Sequence, residues 1–230
     1  MQVEVLPDAK AAAQRAAAII AAAARDAVVA TGQFTCAVSG GKTPWLMLKL
    51  LAGEKVPWEQ VQLFQVDERI APAGHDDRNL THLTASLLSR VPLPPAQMHP
   101  MPVEGTDLPT AARQYAEALA AAAGRPPVLD LVHLGLGADG HTASLIPGDA
   151  VLNVADADVA VTGEYLGRRR MTLTFPVINR ARRILWVVTG ADKAAMLKRL
   201  RDGDRNIPAG RVERSAAIVI ADRAAAGEAQ

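Results

Sequence analysis

The sequence predicts an α/β fold, a layered, open and mostly parallel sheet with helices on both faces. Three observations carry this. Short β-branched runs alternate with helical patterns along most of the 230 residues, several of the runs are apolar on both faces, and the polar motifs follow directly after them. Strands without a polar face that are separated by helices belong to parallel sheets covered on both sides.

The candidate strands are 34–38, 61–66, 129–134, 171–174, 184–189 and 217–220, with weaker ones near Met98 and near 159–161. Helical patterns fall at about 9–30, 44–52, 80–89, 109–123 and 191–201. The Pro/Gly-rich breaks at 91–95 and 124–127 read as loops inside one domain spanning 1–230, since neither a repeat nor a low-complexity linker interrupts the pattern. Ligands of such sheets gather at the carboxyl ends of the strands, so the motifs after the strands are expected on one rim.

Composition excludes several classes. With 25 basic and 24 acidic residues the formal charge is +1, which gives no electrostatic reason for a nucleic-acid or anionic-membrane partner. The Ala-rich stretch Ala9 to Ala30 is broken by Lys10, Arg15, Arg25 and Asp26, far from the roughly 18 uncharged residues of a membrane span. No basic, then apolar leader opens the chain, so a cytoplasmic protein is expected. The single cysteine, Cys36, rules out an internal disulfide and a Cys-based zinc site. Its expected role is that of a small buried thiol.

The first motif is Ser39-Gly40-Gly41-Lys42-Thr43-Pro44, between a strand and a helical pattern. Thr43 suits an N-cap and Pro44 the first turn. The paired glycines let amides approach an anion, and a helix start favours phosphate. A nucleotide-triphosphate loop would need glycine where Cys36 stands, so a phosphate site and a plain strand–turn–helix connection both stay open here.

The second motif, Asp67-Glu68-Arg69, ends a strand and leads to Pro72, His75, Asp76, Asp77, Arg78 and Asn79. Two carboxylates and an arginine at a strand's end are not expected in a core. Asp67 suits orienting a water or a sugar hydroxyl, and Arg69 suits forking onto a phosphate, while a solvated surface cluster stays open on these residues alone. His75 and His82 read as surface residues.

The third motif runs from Gly135 to Gly148 and holds Asp139-Gly140-His141. Gly135, Gly137 and Gly140 match a dinucleotide fingerprint in letters only, because Pro147-Gly148 leaves no room for the sustained helix it requires. His141 then reads as a general base near neutral pH, with Asp139 fixing its tautomer or orienting water. His133, inside a strand, reads as a satisfied core histidine. A His133–His141 metal pair lacks a third ligand, and neither Ser39 nor Ser144 has a recognisable base, so no metal and no nucleophilic serine is expected. In the last third, Arg168-Arg169-Arg170 precede a strand, and Lys193 lies in a first helical turn, where a cation runs against the helix dipole, so a shared anion and a plain solvated lysine both stay open.

Taken together these residues resemble the 6-phosphogluconolactonase family, whose pattern runs S-G-G-x-T-P, D-E-R-x-V-P with a following S-N, G-x-G-x-D-G-H-T-A-S-L-F-P-G, R-x-T-L-T and G-x-x-K. The chain matches with Ser39 to Pro44, Asp67-Glu68-Arg69, Gly135 to Gly148, Arg170 to Thr174, and Gly190 with Lys193. It departs at Ala71, Arg78 and Ile146, where the family has Val, Ser and Phe. The resemblance implies a Rossmann-like sheet of the sugar-phosphate isomerase/deaminase type and hydrolysis of a phosphorylated sugar lactone without a cofactor. It implies that His141, Asp139 and Asp67 are catalytic, and that Ser39, Gly40, Gly41, Lys42, Thr43, Arg69, Asn79, Arg170 and Lys193 bind substrate or its phosphate. The related glucosamine-6-phosphate deaminases resemble G-x-G-x-D-G-H-I-A-F-N-E-P and carry D-E-Y. Ile146 stands at their glutamate position, and Arg69 at their tyrosine. Both differences favour the lactonase over a deaminase. A non-catalytic sugar-phosphate sensor is disfavoured because Asp139 and His141 are both kept and the chain opens directly on this domain.

Overall fold

The computed structural model describes residues 1–228. In chain order the elements are β1 (Gln2–Leu6), α1 (Ala9–Thr31), β2 (Phe34–Val38), α2 (Lys42–Leu51), β3 (Val61–Gln65), β4 (Asp67–Arg69), α3 (Asn79–Ser86) and β5 (Met98–His99). Then follow α4 (Leu108–Ala123), β6 (Leu131–Leu134), β7 (Val159–Val161), β8 (Arg170–Leu173), α5 (Phe175–Arg180), β9 (Ile184–Val188), α6 (Ala194–Asp202), β10 (Ala217–Asp222) and α7 (Arg223–Ala226). Short 3₁₀ turns join several of them, including Ala191–Lys193 just before α6.

The main sheet has seven parallel strands in the order β1-β10-β9-β6-β2-β3-β5. Side chains alternate across it as the strand period requires. Phe34, Cys36 and Val38 of β2 and Leu185 and Val187 of β9 pack with α1, α2 and α3. Ala37 and, from β9, Ile184, Trp186 and Val188 pack on the other face with α4, α5 and α6. With so few aromatics, close packing falls to alanine. Ala12, Ala13, Ala16, Ala17, Ala21 and Ala24 of α1 are fully buried at helical spacing, which brings that helix close to the sheet. Asp8 caps α1, accepting from the Ala11 amide at 2.8 Å, and Gly32 ends it in the left-handed region.

From β2 the chain winds outward through β3 to β5. It then returns to β6 and winds the other way through β9 and β10. Strand order therefore reverses between β2 and β6, and the loops after these two strands face each other across the switch point where α/β sheets hold ligands.

Two expectations are corrected. The 171–174 run does not join the main sheet. It forms β8, which pairs antiparallel with β4 and β7 in a separate three-stranded sheet. The chain also begins with a strand that the sequence did not suggest. Gln2 and Glu4 interrupt its apolar pattern, and β1 forms by edge pairing with β10 (Gln2↔Ile218 to Leu6↔Asp222). No helix among the described residues is long and apolar enough to cross a membrane.

Candidate active site

The first loop is fixed from below by β6. The Ser39 amide donates to His133 Nδ1 at 3.2 Å, and Ser39 Oγ donates to the His133 carbonyl at 3.0 Å. His133 is thus a core residue as expected, yet only half satisfied, because its buried Nε2 has no partner. Burial pushes its pKa down to about 3, so it is neutral. Cys36 is buried, and burial pushes its thiol up, out of reach of ionisation.

The start of α2 differs from expectation. The N-cap is Gly41 at φ 133°, a conformation closed to Thr, and the helix begins at Lys42. Thr43 instead meets Thr189 hydroxyl to hydroxyl at 2.6 Å, joining this loop to the end of β9. No side chain caps α2, so its first amides are open to an external acceptor. Gly40 is needed for close approach, since a Cβ there would lie 2.2 Å from Asn79 Oδ1.

In the second motif Glu68 is a core residue, against expectation. Its carboxylate accepts from the amides of Arg69 (2.8 Å), Asn79 (2.7 Å) and Leu80 (2.8 Å) and from Gln65 Nε2 (2.9 Å). It thereby satisfies the open start of α3. Arg78, buried, lies 3.2 Å from Glu68 through Nε and 2.8 Å from Glu104 through Nη1. Arg78 is therefore a structural cation outside the site. Asp67 accepts from Ser144 Oγ at 2.7 Å, Asn79 Nδ2 donates to the Asp67 carbonyl at 2.9 Å, and Arg69 donates to Asn79 Oδ1. His75 is exposed as expected. His82 is instead half-buried and stacked on Trp45, ring centroids 5.4 Å apart.

In the third motif a tight turn brings His141 back against Gly137, whose amide donates to the His141 carbonyl at 2.8 Å. His141 Nδ1 lies 2.5 Å from Asp139 Oδ1, and Tyr165 donates its hydroxyl to Asp139 Oδ2 at 3.0 Å. Burial pushes the Asp139 carboxyl up. The His141 amide, the imidazole and the Tyr165 hydroxyl outweigh this and hold it below the usual carboxylate range. An ionised carboxylate only accepts, so Nδ1 carries the proton and Nε2 keeps its lone pair. Gly137 makes this possible, because a Cβ there would stand 2.1 Å from Nδ1.

A cavity of about 550 Å³ joins the three loops. Ser39 to Thr43, Asp67, Arg69, Asn79, His141, Arg170 and Lys193 all line it, while Asp139 stands behind His141. Of the three consecutive arginines only Arg170 faces the cavity. Arg168 pairs with Asp77 at 2.9 Å, and Arg169 Nε donates to the Thr162 carbonyl at 3.2 Å. Arg170 is buried, its Nε has no partner, and burial pulls its pKa below the ordinary arginine value. A desolvated cation with an idle donor is suited to an anionic ligand. Lys193 lies 3.0 Å from Asp192, on a turn held by Asp222, whose two oxygens accept from the Gly190 amide at 3.0 and 3.1 Å. Ile146, at the deaminase glutamate position, is buried. Among the described residues no three His, Cys, Asp or Glu side chains form a metal-holding group.

Sequence reasoning missed Ser144 as the partner of Asp67, Asp222 behind Gly190, and Tyr165 beside Asp139. The Asp222-Arg223 step after a strand, a capping residue before a helix, was a readable signal for the second. Ser144 and Tyr165 reach their partners from 77 and 26 residues away, which no local pattern reports.

A family model described as glucosamine-6-phosphate isomerases/6-phosphogluconolactonase matches residues 7–220. A 6-phosphogluconolactonase of Synechocystis sp. is 39% identical over 196 residues, covering 84% of this chain and 81% of that protein. One of Mycobacterium tuberculosis is 36% identical over 240 residues, covering 98% and 97%. The crystal structure of a Thermotoga maritima 6-phosphogluconolactonase superimposes with a TM-score of 0.86 at 25% identity, covering 96% of this chain and 98% of that one.

Proposed function

Because the chain belongs to the glucosamine-6-phosphate isomerase/6-phosphogluconolactonase family, we propose that it hydrolyses 6-phospho-D-glucono-1,5-lactone to 6-phospho-D-gluconate in the oxidative pentose phosphate pathway. The observation that carries this reading is a single cavity lined by both the Asp139-backed imidazole of His141 and the buried Arg170 with its idle Nε. The imidazole suits activation of water, and the guanidinium beside it suits an anion.

In this mechanism the 6-phosphate rests on the amides of Gly40 and Gly41 and the open start of α2 at Lys42 and Thr43. Arg69, Arg170 and Lys193 supply charge, and Ser39 and Asn79 fix the loops around it. His141 Nε2 takes a proton from water as its oxygen bonds to the lactone carbonyl carbon. The ring C–O bond then breaks, and the proton passes from His141 to the departing ring oxygen. Asp139 holds the tautomer, and Asp67, anchored by Ser144, orients the water. A positioned general base contributes about 10²–10⁴-fold, and the remote phosphate supplies energy for alignment. Protein side chains and water suffice for every step. We place the reaction in the cytoplasm, in one catalytic domain, with the sugar phosphate as partner and neither nucleic acid nor membrane required.

Acceleration of fresh lactone hydrolysis above its spontaneous rate, without ammonia release from glucosamine 6-phosphate, is the expected result. Ammonia release without lactone hydrolysis would overturn it.

A further inference from the structure

The catalytic pair is braced by a side chain from another sheet. Tyr165 lies at the tip of the hairpin joining β7 and β8, where it bridges to Arg168 across a turn of Leu166 (φ 52°) and Gly167 (φ 75°). Positive φ at both central residues is the two-residue turn that matches strand twist, so the tip geometry is closely set. The tip is also tied down from outside, because Arg168 donates through Nε (3.0 Å) and Nη2 (2.9 Å) to one oxygen of Asp77. From this position the half-buried Tyr165 touches three members of the site. Its hydroxyl reaches Asp139 Oδ2 at 3.0 Å, its ring meets the His141 ring edge-on at 5.8 Å, and the Arg170 guanidinium lies 5.0 Å above the ring centre.

We infer that Tyr165 is a positioning residue for the Asp139–His141 pair, holding the carboxylate so that His141 keeps Nε2 free toward the cavity. The inference rests on the lactonase reading for its catalytic meaning. Asp139 has two oxygens. One accepts from His141, and without a donor on the other the carboxylate is free to rotate out of line with the imidazole. The phenol fills that second place. Arg170 stacks on the same ring, so one side chain couples the orientation of the base to that of the cation proposed for the phosphate.

Tyr165→Phe keeps the ring and removes only the donor. The other charged groups that line the cavity with His141, namely Lys42, Asp67, Arg69, Arg170, Asp192 and Lys193, are untouched. The expected loss is roughly tenfold in kcat, the worth of one hydrogen bond to a charged group, with KM close to that of wild type. A carboxylate free to rotate holds the imidazolium less well, so the acid limb of the kcat/KM profile moves to lower pH. The ¹⁵N-resolved signal of the His141 Nδ1–H, assigned with His141→Ala, weakens as the second tautomer becomes populated. Unchanged kcat and profile would overturn the inference. So would a fall in kcat with an unshifted limb and an unchanged Nδ1–H signal, since that pattern is a merely structural effect. Lactone hydrolysis by the wild type tests the reaction separately, and the tautomer signal decides the role of Tyr165 even if that reaction fails.

Discussion

His141 donates through Nδ1 to Asp139, 2.5 Å away, from only two positions along the chain. That contact sets which nitrogen is basic. Asp139→Asn preserves the shape but lets an amide donate to Nδ1, which moves the ring proton to Nε2. Activity should fall about 10²–10⁴-fold while 6-phosphogluconate binding is retained, as read by steady-state kinetics beside calorimetric titration. A variant with more than a tenth of wild-type kcat would contradict the assignment.

Arg170 and Lys193 should act mainly on KM. Removing a donor to a charged group is worth about 1.5–3 kcal/mol, so Arg170→Met should raise KM roughly tenfold to hundredfold. Lys193→Met, half-exposed and partly engaged with Asp192, should have a smaller effect. An unchanged KM in both variants would remove the phosphate from these two cations.

His133 makes stability depend on pH. Its folded pKa of about 3 lies below the ordinary 6.5, so below pH 6.5 the unfolded chain takes up a proton that the folded one refuses. The stabilisation is fully present above pH 6.5 and is lost progressively toward pH 3. Between pH 7 and pH 5 this amounts to about 2 kcal/mol. His133→Gln keeps an acceptor for the Ser39 amide and does not titrate. Urea melts at both pH values should show wild type losing more stability than the variant, and parallel losses would refute this.

Arg78→Met should cost about 3 kcal/mol or more in urea unfolding, because it removes the buried cation beside Glu68. The variant enzyme, where folded, should keep its KM, since Arg78 does not line the cavity. A cost below about 1 kcal/mol would mean that the amides around Glu68 suffice.

What the sequence disclosed was what is local. The Asp139–His141 pair spans two residues, and the inner strands of the main sheet announce themselves by apolar runs, so both were legible, whereas the edge strand β1 was not. Strand period says that 171–174 is extended but not which sheet it joins, and β8 found partners at 67–69 and 159–161. Glu68 looked like a surface acid because its five partners include the amides of Asn79 and Leu80, eleven and twelve residues further on. Thr43 had the chemistry of an N-cap, but Gly41 had the backbone freedom.

The most direct measurement is hydrolysis of freshly prepared 6-phosphogluconolactone by wild type and His141→Ala in parallel, with 6-phosphogluconate binding as the control for folding. The expected result is strong acceleration by the wild type and a fall of about 10²–10⁴-fold in the variant, with binding retained. Near-normal turnover by His141→Ala would contradict the account at its centre.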